Sequence, residues 1–406
     1  MERPQPVDLP KIVSVDDHVV EPPTLWTDRL PATYADRMPR VVRKRGRQVY
    51  DGGLKFVESD DAPPVDLWLY DDLVSPIPRG MAQVGYLDEP SASSITYDEI
   101  VDGCWKQDAR LADLSRNHTD GSLSFPSFSR FCGQTFLERE DKELARLCVE
   151  AYNDWMIDEW CAGDGAGTLI PCTLIPLWDA QLAAAEVRRC ADKGSFAVAF
   201  SENPVPLGLP SIYGEHWEPF FAACEETRTV INMHIGSSSQ MAITAPDAPL
   251  EAGMSLTAEN SVHAFVDWLC CGAFARHPNL KIALSEGQVG WMPFMMERLD
   301  SIWERSHFYG GTLKAMLPEP PSSYVAGHVY GCIFDDMHGL ASRHTIGMDQ
   351  IMFETDYPHS DSTFPHSKET AEKIVTAAGL TDDETYKLLR GNAITCFGLE
   401  RFGFTA

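Results

Sequence analysis

The stretch KIVSVDDHVVEP, residues 11–22, begins as the apolar run KIVSV (11–15) and continues into acidic and imidazole side chains. Such a run is typical of a strand that is covered on both faces. Asp16 and His18 are two residues apart, so their side chains share one face of an extended chain and can point at one ion. The stretch therefore predicts a buried strand that carries a pair of metal ligands where it ends.

Seven further apolar runs follow along the chain, and segments with helical spacing separate them. The strand candidates are GSLSFPS (121–127), GTLIPCTLIP (167–176), FAVAF (196–200), TVINM (229–233), LKIALS (280–285), VYGCIF (329–334) and QIMFET (350–355). The helix candidates span 141–160, 179–193, 259–276, 291–308, 366–378 and 382–390. Strands that alternate with helices form parallel sheets, and eight of them predict closure into a (β/α)8 barrel of the α/β class.

The segment 28–118 interrupts this alternation between the first and second strand candidates. It is rich in Arg, Asp, Pro and Gly and includes the turn-forming stretches DDAPP (60–64) and SPIPRG (75–80). Barrels of this class reach about 400 residues when they carry insertions. We therefore expect one barrel domain over residues 1–406, with a β-rich insertion or flap at 28–118.

Composition excludes several classes of partner. The formal net charge is −27, which repels phosphate backbones and anionic lipids, so neither nucleic acid nor a membrane is an expected partner. No run approaches 18 apolar residues, and the first residues lack the apolar core of a signal peptide. The eleven cysteines are scattered without a CxxC pair, which is typical of reduced thiols. We expect a cytoplasmic protein that acts on a small molecule.

Three later segments also bring acidic and imidazole groups to the ends of strands. His234 closes VINMH, Glu286 follows IALS, and Asp356 follows MFET, with His359 and Asp361 on the next loop. Each segment alone is compatible with a structural role, such as a core histidine or a capping aspartate. Because the carboxyl ends of barrel strands meet at one mouth, the joint occurrence favours a catalytic site.

The predicted ligand set is Asp16, His18, His234 and Asp356 around one divalent metal ion. Two imidazoles and two carboxylates suit Zn²⁺, the ion we expect, with Mn²⁺ or Fe²⁺ as alternatives. Such an ion polarises a carbonyl or carboxylate group and lowers the pKa of bound water. For His359 and Asp361, contact with substrate and simple capping of the loop both stay open.

Four motifs resemble the amidohydrolase-related group often called amidohydrolase family 2. They are DDHxxEP (16–22), MHIGSS (233–238), SEGxxGWxPFxxERLD (285–300) and FETDYPHSDS (353–362), and the resemblance extends over about residues 11–400. The family includes aminocarboxymuconate semialdehyde decarboxylase and related aromatic acid decarboxylases. The resemblance implies a (β/α)8 barrel with one catalytic divalent metal, and a homodimer.

The family motifs map onto the same four ligand candidates. The HxH motif after the first strand corresponds to Asp16 and His18, with aspartate in place of the first histidine. The fifth-strand histidine matches His234, and the aspartate of TDYP matches Asp356. Many members carry a general acid/base histidine after the sixth strand, whereas this chain has Glu286 there. Glu286 either transfers a proton or anchors a ligand histidine.

The catalytic candidates are thus Glu286, His234 and Asp356, and two reactions stay open. One is non-oxidative decarboxylation of a small aromatic or unsaturated carboxylic acid, which the family favours. The other is hydrolysis of an amide, a lactone or an activated C–C bond by metal-activated water. A non-catalytic binding barrel is a third possibility, against which the full ligand set argues. Candidate arginines for a substrate carboxylate, each equally compatible with a solvated surface charge, are Arg40, Arg43, Arg45 and Arg47.

Overall fold

The computed structural model of the chain describes residues 9–50, 54–86 and 93–405. The strands are β1 (Ile12–Val19), β2 (Arg40–Tyr50), β3 (Leu54–Glu58), β4 (Pro64–Tyr70), β5 (Leu73–Pro76), β6 (Thr119–Pro126), β7 (Leu169–Thr173), β8 (Ala197–Ala199), β9 (Val230–His234), β10 (Ile282–Ser285), β11 (Val329–Ile333) and β12 (Ile351–Phe353). Eight of them form a parallel sheet in the order β1-β6-β7-β8-β9-β10-β11-β12. All eight coincide with the strands predicted from the sequence.

The sheet closes into a barrel where β12 returns to β1. The Asp356 amide donates to the Asp16 carbonyl at 2.9 Å, and the His18 amide donates to the Tyr357 carbonyl at 2.6 Å. Helices cover the outside of the sheet, so the strands are buried on both faces, and every residue of β1 is buried. The predicted (β/α)8 barrel is confirmed.

The helices are α1 (Gln107–Arg116), α2 (Gln134–Leu137), α3 (Lys142–Trp155), α4 (Ala180–Asp192), α5 (Glu218–Thr227), α6 (Leu250–Met254), α7 (Glu259–Cys270), α8 (Ala273–Arg276), α9 (Met292–Glu304), α10 (Thr312–Met316), α11 (Met337–Ala341), α12 (Arg343–Ile346), α13 (Ser367–Ala378), α14 (Asp382–Tyr386) and α15 (Asn392–Phe397). The capping box of Thr381 and Glu384 is present at the start of α14. None of the helices in the described part of the chain is long and apolar enough to cross a bilayer.

Strands β2 to β5 form a separate antiparallel sheet in the order β3-β2-β4-β5. Trp68 on β4 attaches this sheet to the barrel, because its ring stacks on Phe128 at a centroid distance of 4.6 Å and meets Trp26 edge-on at 5.2 Å. The segment 28–118 contains this sheet and also α1, which packs against β6. The division into one domain with an insertion over 28–118 stays a prediction.

Strand β1 is longer than the sequence pattern indicates. The predicted run ended at Val15, whereas β1 continues to Val19 because it pairs with β6 through His18–Phe125 and Val19–Pro126. The register shifts between Ser14 and Asp17. Asp16 and His18 therefore belong to the strand itself, where neighbouring strands fix their direction more tightly than a loop would.

Candidate metal centre

The four predicted ligands meet in the mouth of the barrel. Asp16 and His18 project from β1, His234 is the last residue of β9, and Asp356 follows β12; each is at most 2% exposed. The two Nε2 atoms of His18 and His234 are 3.2 Å apart. The Asp16 carboxylate lies 3.5 Å from both Nε2 atoms, and Asp356 Oδ1 lies 3.4 Å from Nε2 of His18.

Hydrogen bonds elsewhere on the rings orient both histidines. Nδ1 of His234 lies 2.7 Å from the Ile235 carbonyl, which only accepts, so Nδ1 carries the proton and Nε2 presents a lone pair. The His18 ring bonds to the backbone of Pro126, which has no N–H, so the ring donates to a carbonyl. Two bare nitrogens this close repel each other unless a cation lies between them. This is the arrangement of metal-ligating histidines.

The two carboxylates of the cluster are buried. Both carboxylate oxygens of Asp16 have no hydrogen bond, and Oδ1 of Asp356 faces the imidazole nitrogens of His18 and His359. Burial raises the pKa of both carboxyls well above the ordinary range, and the nearby acids Glu354 and Glu286 raise it further. Burial lowers the pKa of His234 to about 3. The imidazoles are neutral, so they provide no positive charge to compensate the buried acids. The donor set therefore fits a divalent cation.

Glu286 and His359 lie at the exposed side of the same cluster. Glu286 Oε1 is 3.6 Å from His234 Nε2, and its side chain is 18% exposed. Nδ1 of His359 is 2.9 Å from Asp356 Oδ1, and its ring lies 3.9 Å from that of His18. Ligand atoms of Asp16, His18, His234 and Glu286 all fall within 4.8 Å of one another, as do those of His18, Glu286, Asp356 and His359. Both residues are therefore within reach of a bound ion or its substrate.

Two residues of the site adopt a strained backbone. Glu286 and Asp356 have φ values of 55° and 51°, in the left-handed region that non-glycine residues avoid. Each costs about 1–3 kcal/mol and persists only where neighbours hold it. Glu354 Oε2 accepts from the Glu286 amide at 3.1 Å, and the Asp16 carbonyl accepts from the Asp356 amide. The strained turns aim both carboxylates into the mouth.

Glu354 is a buried acid of the site that the sequence analysis did not select. Its side chain is fully buried, one oxygen has no hydrogen-bond partner, and burial raises its pKa to about 8. The motif FETD offered a signal, because Glu354 and Asp356 are two residues apart and share a face of an extended chain. Its bond to the Glu286 amide makes it a positioning residue.

Asp17 and Glu21 are buried acids that organise the backbone around the site. Asp17 accepts from the hydroxyls of Ser14, Ser122 and Thr355 and from the Tyr357 amide, and thereby ties β1 to β6 and to the turn after β12. Glu21 accepts from the amides of residues 127, 128 and 129 at 2.8–3.2 Å. Except for Ser14, which lies on the same strand as Asp17, these partners are more than 100 residues away in sequence, so no local pattern indicates them.

Aromatic rings line the mouth on the side of His234. The Phe131 ring stacks on His234 at a centroid distance of 4.1 Å, and Phe125 meets it edge-on at 5.3 Å. Phe131 is partly exposed, whereas Phe125 is fully buried. An aromatic wall beside carboxylates and imidazoles suits a flat, polar ligand.

The candidate arginines of the insertion lie in its antiparallel sheet, on β2. Arg43, for example, pairs with Asp66 and Asp98. The arginine in contact with a predicted ligand is instead Arg110 on α1, which is fully buried and donates to the His18 carbonyl at 2.5 Å. Its guanidinium stacks on Tyr357 at 4.3 Å. Arg110 acts on the site by fixing the backbone of His18.

Comparison with known proteins agrees with this architecture. The family described as amidohydrolase matches residues 75–399. Gamma-resorcylate decarboxylase of Rhodococcus jostii (strain RHA1) is 25% identical over 248 residues, which are 56% of this chain and 70% of that protein. An amidohydrolase from Mycobacterium avium subsp. paratuberculosis K-10 superposes with a TM-score of 0.69 at 20% identity, covering 96% of this chain and 99% of its own.

A third similar protein was solved with a bound metal. The 5-carboxyvanillate decarboxylase of Novosphingobium aromaticivorans DSM 12444, with manganese and 3-methoxy-4-hydroxy-5-nitrobenzoic acid, has a TM-score of 0.60 at 18% identity and covers 79% of this chain and 89% of its own. At these identities the solved structures support the fold. The family match covers well over half of the residues, and the chain therefore belongs to the amidohydrolase family.

Proposed function

We propose that this protein is a metal-dependent decarboxylase of a small aromatic or unsaturated carboxylic acid. One observation carries the proposal: two bare imidazole nitrogens and the two carboxylate oxygens of Asp16, which have no hydrogen bond, converge in a buried mouth lined by aromatic rings. The similarity to gamma-resorcylate decarboxylase supports this reaction over others of the family.

In this proposal Asp16, His18, His234 and Asp356 hold one divalent ion. When bound there, the ion would supply polarisation of a substrate oxygen and stabilisation of developing negative charge. The neutral state of both imidazoles, which burial favours, suits ligation because only a neutral nitrogen offers a lone pair. We propose Zn²⁺ as the native ion, with Mn²⁺ and Fe²⁺ as alternatives that the same donors accept.

Glu286 is proposed as the proton donor to carbon. The bond between the ring carbon and the carboxylate breaks, its electron pair stays on the carbon, and carbon dioxide leaves. The proton of the Glu286 carboxyl then forms the new C–H bond, and water restores that proton. The partial exposure of Glu286, 3.6 Å from His234, suits a group that faces both substrate and solvent.

Phe131 and His359 are proposed to bound the substrate. Phe131 stacks on His234, and the His359 ring lies 3.9 Å from that of His18, so each ligand histidine has a ring beside it. In this proposal a flat substrate contacts these rings with its carboxylate toward the ligands. His359 also contacts Asp356 and can donate a hydrogen bond to a substrate oxygen.

The wider setting belongs to the same proposal. We propose a cytoplasmic homodimer whose single barrel domain carries the insertion at 28–118. All eleven cysteines are free thiols, which supports a reducing compartment. Phe294 and Phe308 are 69% and 74% exposed, which supports contact with a second copy. Light scattering coupled to size-exclusion chromatography measures the mass that tests the dimer.

The proposed function is tested by metal analysis followed by a screen of hydroxylated benzoic acids. We expect one divalent ion per chain, and release of carbon dioxide from at least one acid in step with loss of substrate. Formation of products that incorporate ¹⁸O from labelled water, without carbon dioxide, would support hydrolysis instead. Protein that contains no transition metal and stays inert with added Zn²⁺ or Mn²⁺ would contradict both reactions.

A further inference from the structure

A cavity lies at the end of the barrel opposite the candidate metal centre. It measures about 360 Å³, and Thr229 and Lys281 in its lining directly precede β9 and β10. The candidate ligands are found at the carboxyl ends of the strands, so this cavity is at the amino-terminal ends. We call it the basal cavity; it is lined by Arg228, Thr229, Lys281, Asn279, Thr395 and Arg401, among others.

Three cations line the basal cavity without neutralising acids. Among the residues that the structure describes, Arg228, Lys281 and Arg401 form no ion pair with a carboxylate. Burial and the charge of Arg228 lower the pKa of Arg401, although Glu400 opposes this effect. The chain as a whole carries a net charge of −27, so a concentration of unpaired positive charge is unusual here.

The structure holds two of these cations in fixed positions. The Arg401 guanidinium lies over the Phe196 ring at 3.7 Å, and its Nε donates to the Gly398 carbonyl at 2.8 Å. Gly398 has a φ of 61°, and a Cβ there would collide with the guanidinium. Lys281 donates to the carbonyls of Thr395 and Cys396 at 3.0 and 3.2 Å. Both charges are therefore oriented by neutral groups, as in a preformed binding site.

Glu225, an acid that contacts the lining residue Asn279, is already engaged. Glu225 accepts from the amide and the side chain of Asn279 and contacts His277 at 3.0 Å. Its charge is thereby committed to the loop before β10. Arg228, which follows α5 with a φ of 59°, is exposed and has its guanidinium available.

We propose that the basal cavity binds a small multivalent anion that carries phosphate or carboxylate groups. Guanidinium groups bind both kinds of oxyanion through paired hydrogen bonds, and Lys281 has a further N–H to offer. The cavity volume matches a small metabolite, and the acidic surface outside it disfavours a nucleic acid. This site is independent of the reaction proposed for the mouth.

The test is calorimetric titration of the full-length, metal-loaded protein with inorganic phosphate, pyrophosphate and citrate. We expect at least one of the three to bind, and the comparison among them separates phosphate from carboxylate chemistry. The variant Arg228→Glu should weaken that binding about tenfold or more, because it replaces a charge-assisted contact with repulsion. The matched variant Arg47→Glu, an exposed arginine on β2, should leave the affinity within about twofold.

The variant Asp356→Asn distinguishes binding of the anion at the mouth from binding at the basal cavity. If the anion binds the basal cavity, this variant leaves its affinity unchanged while Arg228→Glu lowers it. Loss of binding in Asp356→Asn with full binding in Arg228→Glu would overturn the proposal. Absence of heat for all three anions at millimolar concentration would also overturn it. The thermal melting curve of Arg228→Glu without anion checks that the variant is folded.

Discussion

At the scale of single residues, the proposed metal centre depends on four buried donor side chains. His234→Ala and Asp356→Ala each remove one donor and leave the remaining buried carboxylates without a counter-charge. We expect both variants to lose the bound metal and to lose activity below detection, because each ligand of a mononuclear site contributes strongly to affinity. Metal content by plasma mass spectrometry, measured on purified protein, checks this.

The matched control for His234 is His263→Ala, which removes a 67% exposed histidine outside the cluster. It should keep its metal and its activity. A His234→Ala protein with a full metal complement and normal turnover would show that the ligands lie elsewhere.

Glu286 either transfers a proton or has a structural role, and a substitution distinguishes the two. Glu286→Gln keeps the size of the side chain and the bond from its amide to Glu354, but removes the acidic proton. If Glu286 protonates carbon, turnover should fall by about 10²–10⁴-fold while the metal stays bound. Steady-state kinetics and metal content should be measured on the same preparation.

Two other results are informative about Glu286. Loss of metal in Glu286→Gln would make Glu286 a ligand, in line with its 3.6 Å distance from His234 Nε2. A near-normal rate with metal retained would contradict the proposed proton transfer. Glu251→Gln, an exposed acid on α6, is the control for a change in surface charge.

Single-sequence reasoning could select those site residues whose side chains are rarely found at the end of an apolar strand. Histidines and paired acids at strand ends are visible in a single sequence, so the ligand candidates and Glu286 could be selected. Asp17, Glu21 and Glu354 were not, because a buried acid looks like a solvated one until its donors are known. Apart from Ser14, those donors lie on other strands and loops, which the barrel fold brings to these acids.

At the scale of elements, apolar strands were easier to predict than the ends of helices. All eight barrel strands are covered on both faces, so their apolar runs stand out from the polar loops. The helix predicted over 259–276 is instead divided at Gly272, which has a φ of 76° and separates α7 from α8. The helix predicted over 382–390 continues as a π-helical turn after Tyr386. Such interruptions of a helix depend on packing, and they change the spacing of apolar residues in the sequence only slightly.

The start of α14 provides a pH-dependent prediction. Glu384 accepts from the Arg343 guanidinium at 2.6 Å and from the Thr381 amide at 2.9 Å. The bond to Arg343 lowers the pKa of Glu384 from 4.5 to about 2. Because the folded pKa lies below the unfolded value, the ionised form stabilises the fold above pH 4.5. This stabilisation is lost as the pH falls from 4.5 to about 2.

Comparison of the wild type with Glu384→Gln isolates this contribution. The variant should melt at a lower temperature at pH 7, and the difference should shrink between pH 5 and pH 3, because Glu384 becomes protonated in the unfolded chain while it is still ionised in the folded protein. Differential scanning calorimetry across this pH range measures it. A difference that is constant with pH would mean that the lost capping geometry, and not the charge, explains the change.

At the scale of the whole molecule, negative charge is present both on the surface and inside the barrel. The chain has a net charge of −27, and Asp16, Glu286, Glu354 and Asp356 add four acids to the interior of the mouth. A divalent cation bound at the proposed ligands would offset the mutual repulsion of these acids and would join β1, β9 and the turn after β12. Metal binding should therefore stabilise the barrel as a whole.

Removal of the metal by dialysis against a chelator should lower the melting temperature by at least about 5 °C, and Zn²⁺ or Mn²⁺ should restore it. Because the proposed ligands lie on strands from both halves of the chain, the entire transition should shift as one cooperative step. The metal-depleted variant Asp356→Asn should melt at the same temperature with and without added metal, which controls for binding elsewhere on the acidic surface. Equal melting temperatures for the wild type before and after chelation, with removal of the metal verified, would show that the buried acids do not need a cation for stability.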